Sequence, residues 1–162
     1  RTIMQEKVLR LVGYDGGGGE VGGLIIYEEN QNGNFSAIWE NSEVIFRGRP
    51  AEFRDLTNDG VDEIVLSTDQ GVTGRNNAFY IYARRVDSFV LITPSQKRVS
   101  TKGEFTETTV GGDSGESYIR DLDSDGVYEI VAGYQEGGVI YRQIYKFNGT
   151  EYYLWKEETI KQ

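Results

Sequence analysis

The sequence predicts an all-β protein built from about three antiparallel sheet units, and three observations carry that prediction. Ile, Val, Tyr and Phe gather in runs of five to nine residues separated by Gly or Asn, which is the spacing of strands rather than helices. The phrase DLTNDGVDEIV at 55–65 returns as DLDSDGVYEIV at 121–131, identical at eight of eleven positions, and such an echo is the signature of a repeated unit. Finally, one plan of strand, Gly-rich loop, strand, tight turn, strand recurs three times along the chain.

Taken in order, the first unit (about 7–48) opens with VLRLVGY, passes a Gly-rich loop into GLIIYEE, turns at NQNGN and ends in FSAIWE. The second (49–96) starts with a short strand, AEFRD, then the acidic phrase running into EIVLST, the loop DQGVTGRNN, AFYIYARR, a turn at Val86 and Asp87, and SFVLIT. The third (115–158) repeats this as SYIRD, the acidic phrase into EIVAGY, the loop QEGG, VIYRQIYKF, a turn at Asn148 and Gly149, and EYYLWKE. Asn148-Gly149 suits a two-residue turn with positive φ at both positions. The first unit lacks an opening strand. Residues 97–114 read as a surface loop rich in Ser, Thr, Gly and charge, with room for a short strand in VSTKGEFTETTV. Helix is expected only at the termini, in MQEKV and KEETIKQ. The whole of 1–162 reads as one domain.

Composition narrows the chemistry. With 38% hydrophobic and 12% aromatic residues the chain is a folding one. It has no Cys, hence no disulfide, thiolate metal site or cysteine nucleophile, and no His, the commonest general base and zinc ligand. Seventeen Lys and Arg against 26 Asp and Glu give a net charge of -9, a field that repels nucleic-acid phosphates and anionic lipid. No apolar run is long enough to insert in a membrane. Arg1 in place of Met reads as a trimmed N-terminus, which leaves export open.

The acidic phrase suits a hard cation. Ca²⁺ takes six to eight oxygens at about 2.3–2.6 Å. In the third unit Asp121, Asp123 and Asp125 alternate, Gly126 permits a sharp bend, the Val127 carbonyl can turn back and Glu129 can close the far side. The same places in the second unit hold Asp55, Thr57, Asp59, Gly60, the Val61 carbonyl and Glu63. Thr57 supplies a neutral oxygen where the later copy has a carboxylate, so the 55–63 site is expected to be the weaker. An EF-hand is excluded, because that loop runs twelve residues between helices, whereas here Glu stands at the ninth position and a strand follows at once.

These residues resemble the calcium loops of FG-GAP or VCBS-type repeats, found in the integrin α-subunit β-propeller and in bacterial surface and secreted proteins. The resemblance implies four-stranded blades in a propeller-like or open array, with the DxDxDG loop joining the first and second strands of a blade. It implies two Ca²⁺ sites on the residues just named, and a non-catalytic module of an extracellular, cell-surface or periplasmic protein acting in adhesion, recognition or scaffolding. This sequence departs from the family pattern in lacking the Phe-Gly and Gly-Ala-Pro signatures, in carrying Glu at position nine, and in having about three units where closed propellers of this kind usually have seven. Three blades do not close a ring, so a larger parent chain, an open arc or an oligomer is expected to cover the exposed edges.

Gly17, Gly19 and Gly22 satisfy GxGxxG, but a dinucleotide site needs a helix after the glycines and GLIIYEE is a strand pattern. The three Gly-rich loops fall on one rim in this plan, which makes Tyr14, Asp15, Arg75, Asn76, Tyr134 and Gln135 a candidate surface for a protein or carbohydrate ligand. The aromatics Trp39, Tyr80, Tyr82, Tyr141, Tyr145 and Trp155 alternate along strands, a pattern that buries rings more often than it displays them to sugars. The alternative reading is a carbohydrate-active enzyme domain or a carbohydrate-binding accessory module; a glycosidase would need paired carboxylates, for which Asp15 and Glu20 are the rim candidates.

Overall fold

The computed structural model describes residues 6–14, 20–41, 51–69, 77–86, 88–100, 102–107, 110–112 and 117–161. All regular structure among them is strand, arranged in separate antiparallel sheets, none of which closes into a barrel. The first sheet contains β1 (Glu6–Tyr14), β2 (Glu20–Glu29) and β3 (Phe35–Asn41), in that spatial order. Next come β4 (Glu52–Arg54), β5 (Glu63–Asp69), β6 (Asn77–Arg85) and β7 (Ser88–Leu91), then a hairpin of β8 (Gln96–Ser100) and β9 (Gly103–Glu107), then β10 (Val110–Gly112). The last sheet is β11 (Tyr118–Arg120), β12 (Glu129–Glu136), β13 (Val139–Phe147) and β14 (Tyr152–Lys161), again in chain order.

Alternation along the strands explains the stacking. Successive side chains of a strand point to opposite faces, so the second sheet has two apolar faces. Ile64, Leu66, Tyr82 and Phe89 pack on Leu24 and Ile26 of the first sheet, with Trp39 against Tyr82 and Phe89. Val65, Phe79, Ile81, Ala83, Ile92 and Val110 pack on Ile130, Ala132, Tyr145 and Tyr152 of the third. The far face of the third sheet is different in kind. Val131 and Ile144 pair there and are buried, but Arg142 and Lys146 flank them, and Arg142 and Lys156 pair with Glu158.

The described residues of 97–114 are largely strand rather than loop. β8 and β9 pair from Gln96↔Glu107 to Ser100↔Gly103, and β10 adds to the outer edge of β6. β7 covers Tyr82–Arg85 of that edge and β10 covers Asn77–Phe79. The outer strand of the second sheet is therefore made of two pieces with a hairpin inserted between them. Buried Gln96 anchors the hairpin: its amide donates to Gln143 Oε1 (2.8 Å) and its carbonyl oxygen accepts from Gly111 N–H (2.9 Å), while Gln143 donates to the Lys97 carbonyl (2.8 Å). Such a polar pair is tolerated in a core only because every group finds a partner. Gly112 lets β10 lie against β12, since a Cβ there would stand 1.7 Å from the Gly133 carbonyl oxygen.

Two further expectations are corrected. The described parts of both termini are strands rather than helices: β14 pairs with β13 out to Val139↔Lys161, and a ladder of nine pairs outweighs the modest helix preference of Lys and Glu. Asn148-Gly149 is not a two-residue primed turn either. Phe147 pairs with Tyr152, leaving four residues between, and only Gly149 has positive φ, while the Asn148 carboxamide oxygen accepts N–H groups of Thr150 and Glu151. The two-residue turn is Gly137-Gly138, with φ of 58° and 78°.

Candidate metal centre

Each acidic segment connects a three-residue strand to a longer one, β4 to β5 and β11 to β12. The pairs Arg54↔Glu63 and Arg120↔Glu129 close the two connections at the same register, which sets the ninth-position Glu across from the residue preceding the first Asp. The backbones bend alike. The fourth and sixth positions are left-handed in both: Asn58 (58°) and Gly60 (81°), Ser124 (64°) and Gly126 (89°). Glycine meets the sixth-position requirement without a Cβ penalty.

That curl turns backbone N–H groups inward, and they orient the carboxylates. Asp55 accepts from Asp59 and Gly60 N–H (3.3 and 2.9 Å), as Asp121 accepts from Ser124 and Gly126 N–H (2.6 and 3.1 Å). Asp59 accepts from Val61 N–H and Asp125 from Val127 N–H (2.9 and 2.8 Å). The closing glutamates, each 2% exposed, accept through Oε2 from Leu56 and Leu122 N–H, both at 2.8 Å. Each carboxylate keeps further lone pairs for a cation.

The loops differ in what those lone pairs meet. Asp121, Asp123 and Glu129 present ligand oxygens within 4.8 Å of one another, and oxygens bound to one Ca²⁺ lie no more than about 5 Å apart. An all-oxygen, carboxylate-rich donor set fits a hard cation. Asp125 is outside that group, and its Oδ1 is engaged by Val127 N–H. In the 55–63 loop no such trio forms among the described residues: Thr57 donates its hydroxyl to Glu63 Oε1 (3.3 Å). Burial raises the Glu63 carboxyl above its usual value, opposed by the Leu56 N–H and helped by the charges of Asp59 and Asp55.

Lys146, on β13, was not singled out by the sequence patterns. Its ammonium lies 2.6 Å from Asp123 Oδ2 and 3.3 Å from Glu129 Oε1. The hydrogen bond with Asp123 lowers that carboxyl and raises the lysine. Only the register reveals this residue: Tyr145 pairs with Ile130 next to Glu129, and Lys146 is its neighbour.

The two loops also touch. Tyr128 N–H donates to the Leu56 carbonyl (2.9 Å), the Arg54 guanidinium lies 4.0 Å over the Tyr128 ring, and Asn58 packs on Gly126. Leu56 is wholly buried in the core between the second and third sheets, whereas Leu122, at the same loop position, is 43% exposed.

Of the rim residues, Asp15, Arg75 and Asn76 lie outside the described residues, as do the side chains of Tyr14 and Glu20. Gln135 is exposed. Tyr134 is not a rim residue: it is 3% exposed, stacked on Tyr141, and its hydroxyl oxygen accepts from Val99 N–H of the inserted hairpin. Tyr82 and Tyr145 are buried, while Trp155 is 51% exposed. A cleft of about 190 Å³ between the second and third sheets is lined by Glu52, Arg54, Ser67 and Tyr118 among others, with no buried titratable side chain. No family model, curated protein or solved structure matches the chain.

Proposed function

We propose that the chain is a non-catalytic, calcium-binding β-sheet module of an exported or cell-surface protein, acting in adhesion, recognition or scaffolding, its sheets serving as successive blades of a propeller-like or open array. The observation that carries the reading is the pair of loops with one backbone course, one register and one oriented set of carboxylates, each closed by a buried glutamate. Asp121, Asp123 and Glu129, with Asp125 and the Val127 carbonyl nearby in the loop, would hold one ion; Asp55, Thr57, Asp59, the Val61 carbonyl and Glu63 would hold the other. Bound calcium would supply the positive charge that neutralises these carboxylates. The loops meet where the second and third sheets pack, so an ion in either would brace that junction.

Extracellular calcium modules bind with Kd of about 10⁻⁴ to 10⁻³ M, so each site would add roughly 0.4 to 1.4 kcal/mol at millimolar calcium. Both together predict a Tm higher by about 2 to 10 °C in 1 mM calcium than in chelator. The Asp59→Ala/Asp125→Ala double variant should show no difference. Superimposable wild-type melting curves in the two buffers would retire the calcium reading.

A carbohydrate-binding role is the second reading, favoured by the exposed rings of Tyr153 and Trp155 on the outer strand β14. Retention on a glycan array that is lost in Trp155→Ala, with melting unchanged, would support it.

A further inference from the structure

In strand register the two loops differ by a paired exchange. Ile64 pairs with Tyr82 and Ile130 with Tyr145, so Ala83 and Lys146 occupy matching positions on β6 and β13. Where the first loop has Thr57 and Ala83, the second has Asp123 and Lys146. At the ligand positions Asp55, Asp59 and Glu63 bring three negative charges to the first loop, and Asp62 adds a fourth at the eighth position, where the second loop has Tyr128. Asp121, Asp123, Asp125 and Glu129 bring four to the second, and the lysine cancels one.

We infer that Lys146 is a tethered cation holding the Asp121–Glu129 loop in its metal-free state, so that a divalent ion binds there only by displacing the ammonium and the 55–63 loop is the tighter site. The inference rests on the calcium reading above. Its geometric basis is that the ammonium already stands 2.6 and 3.3 Å from Asp123 and Glu129, two of the three carboxylates that converge. A divalent ion about 2.5 Å from the same carboxylates would meet a like charge a few ångströms away. The two cannot share the site without a penalty. In that same position the ammonium lies 4.8 Å from the centroid of the exposed Trp155 ring, a face that attracts a cation and adds to its hold beside the carboxylates. Trp155 reaches that place as the extra residue of a β-bulge, for Ile144 pairs with Lys156 and Tyr145 with Leu154. Glu63, by contrast, has no lysine or arginine among its partners in the described residues. This order of affinities is the reverse of that suggested by Thr57 standing where the second copy has Asp123.

Calcium titration by calorimetry tests it on proteins with one loop disabled, Asp59→Ala leaving the 121–129 loop and Asp125→Ala leaving the 55–63 loop. The Asp125→Ala protein should bind calcium more tightly than Asp59→Ala. Adding Lys146→Met or Lys146→Gln to Asp59→Ala should tighten binding at least about tenfold, and adding either to Asp125→Ala should change nothing. A combined Asp123→Thr/Lys146→Ala exchange, which copies the first loop's chemistry, should bring the two loops within about threefold of each other. If Asp59→Ala binds calcium and neither Lys146 substitution tightens it, the tethered-cation inference is overturned and the calcium reading stands. If no protein in the series binds calcium, both fall.

Discussion

Leu56 and Leu122 hold the same place in two nearly identical loops, yet truncating them should have very different consequences. Leu56 has no exposed surface and belongs to a cluster with Val65, Phe79, Ile130 and Tyr152. Leu56→Ala removes an isopropyl group from a packed junction, and changes of this kind cost about 3 kcal/mol once the cavity is included. For a domain of this length each kcal/mol shifts Tm by about 2 to 4 °C, so a drop of about 6 to 12 °C is expected. Leu122 is 43% exposed, and Leu122→Ala should cost under about 1 kcal/mol, or at most about 4 °C. Melting followed by far-UV circular dichroism, in chelator so that any metal response is set aside, measures both. Equal losses, or a larger one for Leu122, would refute the claim that the first loop alone is plugged into the neighbouring sheet.

Gly112→Ala should lower stability by about 2 kcal/mol or more, because its Cβ would meet the Gly133 backbone, which cannot swing aside as a side chain would; a urea midpoint unchanged from wild type would contradict this close approach. Glu63→Gln should act with opposite signs in two buffers. In chelator it should raise Tm at neutral pH, since burial favours the uncharged form; that penalty on wild type is present above the raised folded pKa and fades as pH falls toward the unfolded value. In millimolar calcium the variant should instead melt below wild type, having lost a ligand charge; a shift of one sign in both buffers would count against Glu63 as a ligand.

Much of the strand content is legible because its signal is local. EIVLST, AFYIYARR, EIVAGY and VIYRQIYKF carry branched and aromatic residues in strand-length runs, and all lie in strands. The short strands before the acidic phrases could be found because the phrases bracket them. Gln96 is illegible for the opposite reason: it reads as a loop residue, and only its partners Gln143 and Gly111, distant in sequence, make its burial tolerable. The Glu and Lys of β14 suggest helix locally, but the partner strand decides. At the acidic loops the oxygen-bearing residues announce themselves by spacing. Lys146 does not, since a lysine between Tyr and Phe is indistinguishable in sequence from any solvent-facing strand residue until the register sets it beside Asp123.

The two-piece outer edge of the second sheet bears on the order in which the molecule can assemble. β1 to β3 are joined by neighbouring hairpins, contacts that close quickly because little chain must be gathered. The edge of β6 is finished only when the chain comes back as β10, whose Gly112 is seated on Gly133 of the last sheet. Until then Asn77–Phe79 offers unpaired backbone to any passing strand. The second sheet, the inserted hairpin and the third sheet thus form one late-closing kinetic unit, in which an interruption between β9 and β10 leaves an aggregation-prone edge rather than a merely shortened loop.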